Sequence, residues 1–335
     1  MKAFRVVQLI ILISAIVGLI VILCLFMAGK MSFKTLFHIE DPVVLLEKTQ
    51  EMDGVTNISI DVSSSDISFS QSDSDSIEIV YKGPEKYKDD PDVEITNTDD
   101  TLHITQDKDE YVWGFSFTRR IIEVKIPASY RGAITIASSS GDIKLTGSYI
   151  LAELSIKLTS GDVCGDDVTC ETIYIKSSSG DFRFSSLEAD LITLTHSSGN
   201  TNVDSIIGET KIHSSSGDTN IGTLTGKTKI SVTSGDIAIS DFSGYGEMKV
   251  SSGDIRVTVA RSEGDLSIDT TSGDVKVTMG NDAAYSVHAS CTCGDVSSDY
   301  DLDFSHEKQS AAGTIGENPS DQLTIDTTSG DINIA

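Results

Sequence analysis

The sequence predicts an all-β protein. Its main body reads as a repetitive β-solenoid, like a single-stranded β-helix, with coils of about 18–21 residues, preceded by one N-terminal transmembrane helix. Three observations carry this. The phrase Ser-Gly-Asp plus an aliphatic residue recurs almost to the last residue, apolar residues alternate with polar ones between its copies, and a 23-residue uncharged stretch lies near the start. A β-sandwich or meander of repeats is the alternative architecture.

The phrase centres on Gly141, Gly161, Gly180, Gly199, Gly217, Gly235, Gly253, Gly273, Gly294 and Gly330. Successive spacings are 20, 19, 19, 18, 18, 18, 20, 21 and 36 residues. A fixed short period means one small unit stacked on copies of itself. The last gap is two periods, and Gly313 in SAAGTI falls where a worn copy is expected, with Thr314 in the Asp position.

The amino terminus comes first in the chain. Val6 to Ala28 is long enough to cross a bilayer of about 30 Å at about 1.5 Å per residue. A cleaved signal peptide is the rival reading, but apolar cores of such peptides usually span about 7–15 residues. Residues 1–5 then form a cytoplasmic tail and residues 6–28 the membrane helix. Residues 29–54 form a juxtamembrane connector, within which Asp41 and Pro42 suggest the start of a short helix over Pro42 to Lys48.

Strand signals begin at Val55. Ile58, Ile60 and Val62 alternate with polar residues, and SSSDISF repeats the later phrase without its glycine, with Asp66 in the Asp position. Two prolines break the acidic loop 82–100, and the aromatic run from Tyr111 to Phe117 follows. Residues 55–131 therefore read as an irregular β part that caps one end of the stack, where unpaired strand edges need cover. Residues 132–335 form the regular solenoid. Ile230 and Val232, then Ile237 and Ile239 across the phrase, show its pattern of two short strands and two turns per period.

The formal charge of −26 restricts partners. Residues 1–34 hold Lys2, Arg5, Lys30 and Lys34 and no acid, so the rest carries −26 − 4 = −30. Such a surface repels nucleic acid, which is excluded as a ligand, and attracts cations or basic partners. The acidic β-rich bulk fits the extracytoplasmic side of the membrane.

In the repeat, glycine supplies the positive φ of a sharp corner, the aspartate can bond nearby backbone N–H groups, and the preceding hydroxyls can form a ladder. If coils stack at about 4.8 Å, carboxylates at Asp142, Asp162, Asp181, Asp218, Asp236, Asp254, Asp274 and Asp295 become neighbours. Their repulsion is roughly 1 kcal/mol per pair even in water. Backbone donors would relieve it, and so would calcium held between coils. Calcium is the one cofactor the residues suggest, although the nine-residue spacing of known calcium β-helices is absent.

No other chemistry stands out. The histidines fall in unrelated phases of the repeat, with His196 and His213 near the phrase as ladder residues rather than bases. No nucleophile elbow, HExxH or phosphate loop is present. Cys164, Cys170, Cys291 and Cys293 lack zinc-site spacing; a Cys164–Cys170 bridge stays open, while Cys291 and Cys293 share one strand face.

The lead-in from Ile122 to Ile143, IEVKIPASYRGAITIASSSGDI, followed by iterated SSGDI units, resembles the bacterial "putative adhesin" family of β-strand-repeat domains of unknown function. The resemblance covers about Val55 to Ala335. It implies a solenoid-like fold, a membrane anchor and association with cell-envelope stress systems, and it supplies no catalytic residues. The expected function is a non-enzymatic envelope protein for adhesion or scaffolding, binding a cell-wall polymer or an envelope protein. A regulator of an envelope stress response and a glycan-active β-helix enzyme are the alternatives.

Overall fold

The computed structural model describes residues 41–106, 119–305 and 307–335. The segments predicted to form the cytoplasmic tail and membrane helix, and the aromatic run from Tyr111 to Phe117, lie outside them. No helix among the described residues is long and apolar enough to cross a membrane.

The described chain is almost entirely strand. It begins with β1 (Val43–Glu51), β2 (Asn57–Ser64), β3 (Asp66–Ser72), β4 (Ser76–Gly83), β5 (Val93–Thr98), β6 (Thr101–Gln106) and β7 (Ile121–Pro127). The regular part opens with β8 (Ala133–Ser140), β9 (Ile143–Ile150) and β10 (Glu153–Ser160). Six long strands follow: β11 (Val163–Ser179), β12 (Phe182–Ser198), β13 (Thr201–Ser216), β14 (Thr219–Ser234), β15 (Ile237–Ser252) and β16 (Ile255–Ser272). The end comprises β17 (Val275–Asp282), β18 (Tyr285–Cys293), β19 (Val296–Ser298), β20 (Asp303–Phe304), β21 (Ser310–Ile315), β22 (Asp321–Ser329) and β23 (Ile332–Ile334).

Each coil crosses two faces. Face A holds the segment before a Ser-Gly-Asp corner, and face B the segment after it. Neighbouring coils pair in parallel and in register, Ile212 beside Ile230 and Ile230 beside Met248. This pairing decides for stacking over the meander, whose equivalent residues would not touch. The long strands β11 to β16 each cover face B of one coil and face A of the next, turning at a second corner near Gly208, Gly226 and Gly246.

Strict alternation builds the core between the faces. Ile156, Ile175, Leu194, Ile212, Ile230, Met248, Ile268 and Ile325 form one inward column, all essentially inaccessible to solvent. Neighbours within a column share volume across coils: a Cβ on Gly165 would lie 2.6 Å from the ring of its register partner Phe184, which fills the space that glycine leaves.

Stacking order departs from chain order at both ends. At the amino-terminal end, β2 lies between β6 and β8, and β3 lies between β7 and β9. At the other end, β22 inserts between β16 and β18, and β23 between β17 and β19. The last coil in sequence is therefore the penultimate coil in space. Antiparallel strands extend the outer edges: β5 pairs with β6, β4 with β7, β1 with β4, and β21 with β18.

Three sequence expectations fail here, the first being the loop read over 82–100, in which residues 93–98 form β5 against β6. Residues 43–51 form a strand rather than a short helix. Val43 and Val44 are β-branched, and pairing along β4 buries Leu45, so tertiary pairing overrides the capping signal. Gly313 is not a worn corner: it sits in β21, running antiparallel to β18, so the 36-residue gap holds a hairpin rather than a lost coil.

Candidate functional site

The Ser-Gly-Asp copies superpose into one corner column. Every predicted corner glycine has positive φ, from 119° at Gly141 to 147° at Gly273. Gly273 donates its N–H to the Ser329 carbonyl of the neighbouring coil and Gly235 to that of Ser252, so these corners are tied along the stack by backbone hydrogen bonds.

The carboxylates beside these glycines form a second ladder. The amide N–H of Asp142 donates to Oδ1 of Asp66 at 2.9 Å, and Asp162 to Asp142 at 3.0 Å. The series continues from Asp181 to Asp162, Asn200 to Asp181, Asp218 to Asn200, Asp236 to Asp218, Asp254 to Asp236 and Asp274 to Asp254. It closes with Asp331 donating to Asp274 at 2.8 Å and Asp295 to Asp331 at 2.9 Å. All eight predicted carboxylates therefore join one column. Asp331 completes it although the sequence order separates it from Asp274 by a whole coil; only the insertion of β22 and β23 reveals its place.

Each Oδ1 except that of Asp295, the last rung, thus meets a backbone donor from the next coil. The second oxygens face outward, and arginines bridge several of them. Arg183 reaches Asp162 at 2.9 Å and also Asp181, and Arg256 reaches Asp254 at 2.6 Å and Asp236 at 3.5 Å. Arg119 pairs with Asp66. The amide of Asp181, and then Arg183, hold the Asp162 carboxyl below its ordinary range. Its contribution to stability is complete above the ordinary carboxylate pKa and fades as pH falls through the lowered value.

Asn200 shows what the column requires, since it accepts and donates as the aspartates do. Replacing Asp236 by Asn is therefore expected to change stability by less than about 0.5 kcal/mol, because only exposed pairing to Arg256 is lost. Replacing it by Ala removes the acceptor for Asp254 and should cost about 1 kcal/mol. Denaturant melts of the two variants check the difference.

His196 points inward in the core column two residues before its Ser-Gly corner. It is buried, with Nε2 3.0 Å from Thr201 Oγ1 and Nδ1 3.3 Å from Ser214 Oγ, and its ring stands edge-on to Phe182 at 5.2 Å. Burial pushes its pKa below the ordinary imidazole value, with nearby Asp181 opposing. The folded state therefore favours neutral His196, so stability is greatest above about pH 6.5 and falls as the pH drops below it. A His196→Val variant, matching Val232 and Val250 in the same column, should show a smaller loss of melting temperature between pH 7 and pH 5. An undiminished loss would assign that pH dependence elsewhere.

Among the described residues no group of three or more His, Cys, Asp or Glu side chains is placed to hold a metal ion. Cys164, Cys170, Cys291 and Cys293 are free thiols, so the Cys164–Cys170 bridge is not formed. Burial pushes the Cys170 thiol up to about 12, and the buried Cys291 donates to the Gly294 carbonyl at 3.1 Å. Neither is placed as a nucleophile.

Sequence reasoning missed one cluster near the amino-terminal end. Asp92 accepts from Gln106 at 3.1 Å and from Tyr81, and pairs with Arg120 at 3.3 Å, with both charged side chains largely buried. Gln106 also accepts from Ser65, the residue before Asp66 in the corner column. The cluster ties β4, β6 and that corner together where no glycine is available. Its members lie far apart in sequence, and nothing local signals their meeting.

A family model, Toastrack DUF4097, matches residues 55–224 and again residues 220–335. The chain belongs to this family. In this Toastrack protein the two matches meet inside β14, yet β13, β14 and β15 pair without interruption, so the tandem forms one continuous stack. No curated protein sequence matches the chain. Similar solved structures include a "putative lipid binding protein" from Parabacteroides distasonis, at 15% identity and TM-score 0.44, covering 88% of this chain and 97% of that one. A "putative adhesin" from Bacteroides fragilis reaches 15% identity and TM-score 0.39, covering 87% and 96%. A "putative cell adhesion protein" from Clostridium sporogenes reaches 12% and 0.26, covering 88% and 99%. The Toastrack assignment rests on the family match, not on these likenesses.

Proposed function

We propose that this chain is a non-enzymatic binding scaffold at the bacterial cell envelope, anchored by residues 6–28 with its bulk on the extracytoplasmic side. One observation carries the binding role. The side chains repeated often enough to suggest chemistry, the corner aspartates, are committed to a backbone ladder, which leaves long regular faces as the feature available to partners. The apolar amino-terminal stretch and the acidic remainder support the anchor and its orientation.

The test uses cells producing the full chain with a tag after Ala335. The tag is expected in the membrane fraction and accessible to an impermeant label. Purified full chain is expected to leave envelope glycans at unchanged length while retaining a fraction of them. Shortened glycan would overturn the non-enzymatic reading, and a tag shielded in intact cells would overturn the orientation.

A further inference from the structure

The charge on the two faces is unequal. Take the outward positions of face A over residues 153–157, 172–176, 191–195, 209–213, 227–231 and 245–249. They hold six lysines (157, 176, 211, 227, 229 and 249) against Glu153, Glu209 and Glu247, so the panel carries 6 − 3 = +3 in a chain of −26; beyond it the column of Lys157, Lys176 and Lys249 ends on Asp269 and Asp326 of the next two coils. All six lysines are exposed, and each is flanked by residues that point into the core or turn at the distal corner.

Register organises these cations. Lys157 lies beside Lys176 and Lys211 beside Lys229, so charges repeat at the strand spacing of about 4.8 Å along the stacking axis. Glu209 pairs with Lys211 at 2.9 Å and with Lys227 at 3.6 Å, and Glu247 pairs with Lys229 at 3.0 Å. Among the described residues no carboxylate lies within ion-pair distance of Lys157, Lys176 or Lys249. The Lys157 ammonium instead lies 5.8 Å from the centre of the Tyr174 ring.

The surroundings shape the partner. An exposed column of hydroxyls, Ser178, Ser197, Ser215, Thr233 and Ser251 among them, separates the panel from the acidic corner column. A broad anionic surface, such as a bilayer or a duplex, would press against those carboxylates. A narrow anionic chain along the stacking axis would avoid them. Serine and threonine hydroxyls and the rings of Tyr174 and Tyr245 suit a ligand with its own hydroxyls and apolar ring faces.

From this we infer that face A binds a linear acidic polysaccharide, one carrying a carboxylate on successive sugars, laid across the coils along the lysine columns. The inference rests on the scaffold reading and names its ligand class and surface. Sugar carboxylates meet the unpaired lysines, sugar hydroxyls meet the serine and threonine column, and ring faces meet the tyrosines. The chain's net negative charge repels a polyanion at long range, so affinity comes from short-range contacts at the lysine columns.

The test measures binding of fluorescent polygalacturonate oligomers to the full chain in detergent, with dextran and polyglutamate as comparison polymers. Saturable binding is expected for polygalacturonate alone, weakened at least tenfold by Lys157→Glu/Lys176→Glu/Lys249→Glu and by less than twofold by Lys144→Glu/Lys276→Glu on face B. Matching thermal melts show that the variants fold. Binding unchanged in the triple variant, or no polygalacturonate binding by the wild type, would overturn the inference. Equal binding of polyglutamate would also overturn it, in favour of an acidic protein partner. Retention of other envelope glycans in those cases would leave the scaffold reading standing, whereas depolymerised polygalacturonate would overturn that reading.

Discussion

Removing residues 321–335 is expected to unfold the whole carboxy-terminal end rather than trim it. This segment supplies β22 and β23, which sit between β16–β17 and β18–β19 instead of outside them. Leu323, Ile325, Ile332 and Ile334 would vanish from the core, each fully buried. At about 1.5–3 kcal/mol per side chain, the gross loss is roughly 6–12 kcal/mol. The break also takes Asp331 out of the ladder, so Asp274 and Asp295 lose their shared partner. β18 would keep only its antiparallel neighbour β21. Limited proteolysis of the truncated chain should cut rapidly between residues 280 and 320 while residues 133–272 resist. Protection there equal to that of the full chain would contradict the inserted topology. The same topology implies that this end cannot complete its stack until residues 321–335 have been made.

The second large effect concerns the corner column. At Gly199, φ is 134°, and a Cβ would lie 2.0 Å from the Gly180 carbonyl oxygen and 2.6 Å from its carbon. Both obstacles are backbone within the same column, so a side chain cannot be accommodated by a rotamer change. Relief requires the two coils to separate, which breaks the N–H bonds of Gly180 to the Ser198 carbonyl and of Asn200 to Asp181. Gly199→Ala should therefore cost at least about 3 kcal/mol. Gly54 makes the control, because its φ is 76° and nothing lies within 4 Å of its added Cβ. Gly54→Ala should cost only about 1 kcal/mol for the left-handed backbone. Denaturant unfolding of the two variants separates crowding from backbone strain.

Much of the fold was legible because the repeat makes local and long-range order coincide. The alternation of Ile230, Val232, Ile237 and Ile239 sets which side chains point inward. The near-constant spacing of the glycines places each coil on its neighbour. That coincidence ends wherever chain order and stacking order part. Asp331 follows Gly330 in an ordinary copy of the phrase, yet its place between Asp274 and Asp295 depends on a topology no local pattern encodes. Residues 43–51 carry an amino-terminal helix signal, but the free edge of β4 offers more backbone pairing than a one-turn helix could. The nearness of His196 to the Ser-Gly phrase marks it as a ladder residue rather than a base, whereas the cluster of Tyr81, Asp92, Gln106 and Arg120 has no sequence signature at all.

The Ser-Gly-Asp phrase is a multiplied corner whose aspartates act as acceptors for the next coil. The direct measurement is thermal unfolding of the full chain in millimolar calcium and in chelator, for the wild type and for a variant with every corner aspartate replaced by asparagine. The variant is expected to melt at or above the wild-type temperature, and neither protein is expected to respond to calcium. A wild type stabilised by calcium, with that gain lost in the asparagine variant, would show that the carboxylates serve a cation and contradict this acceptor role.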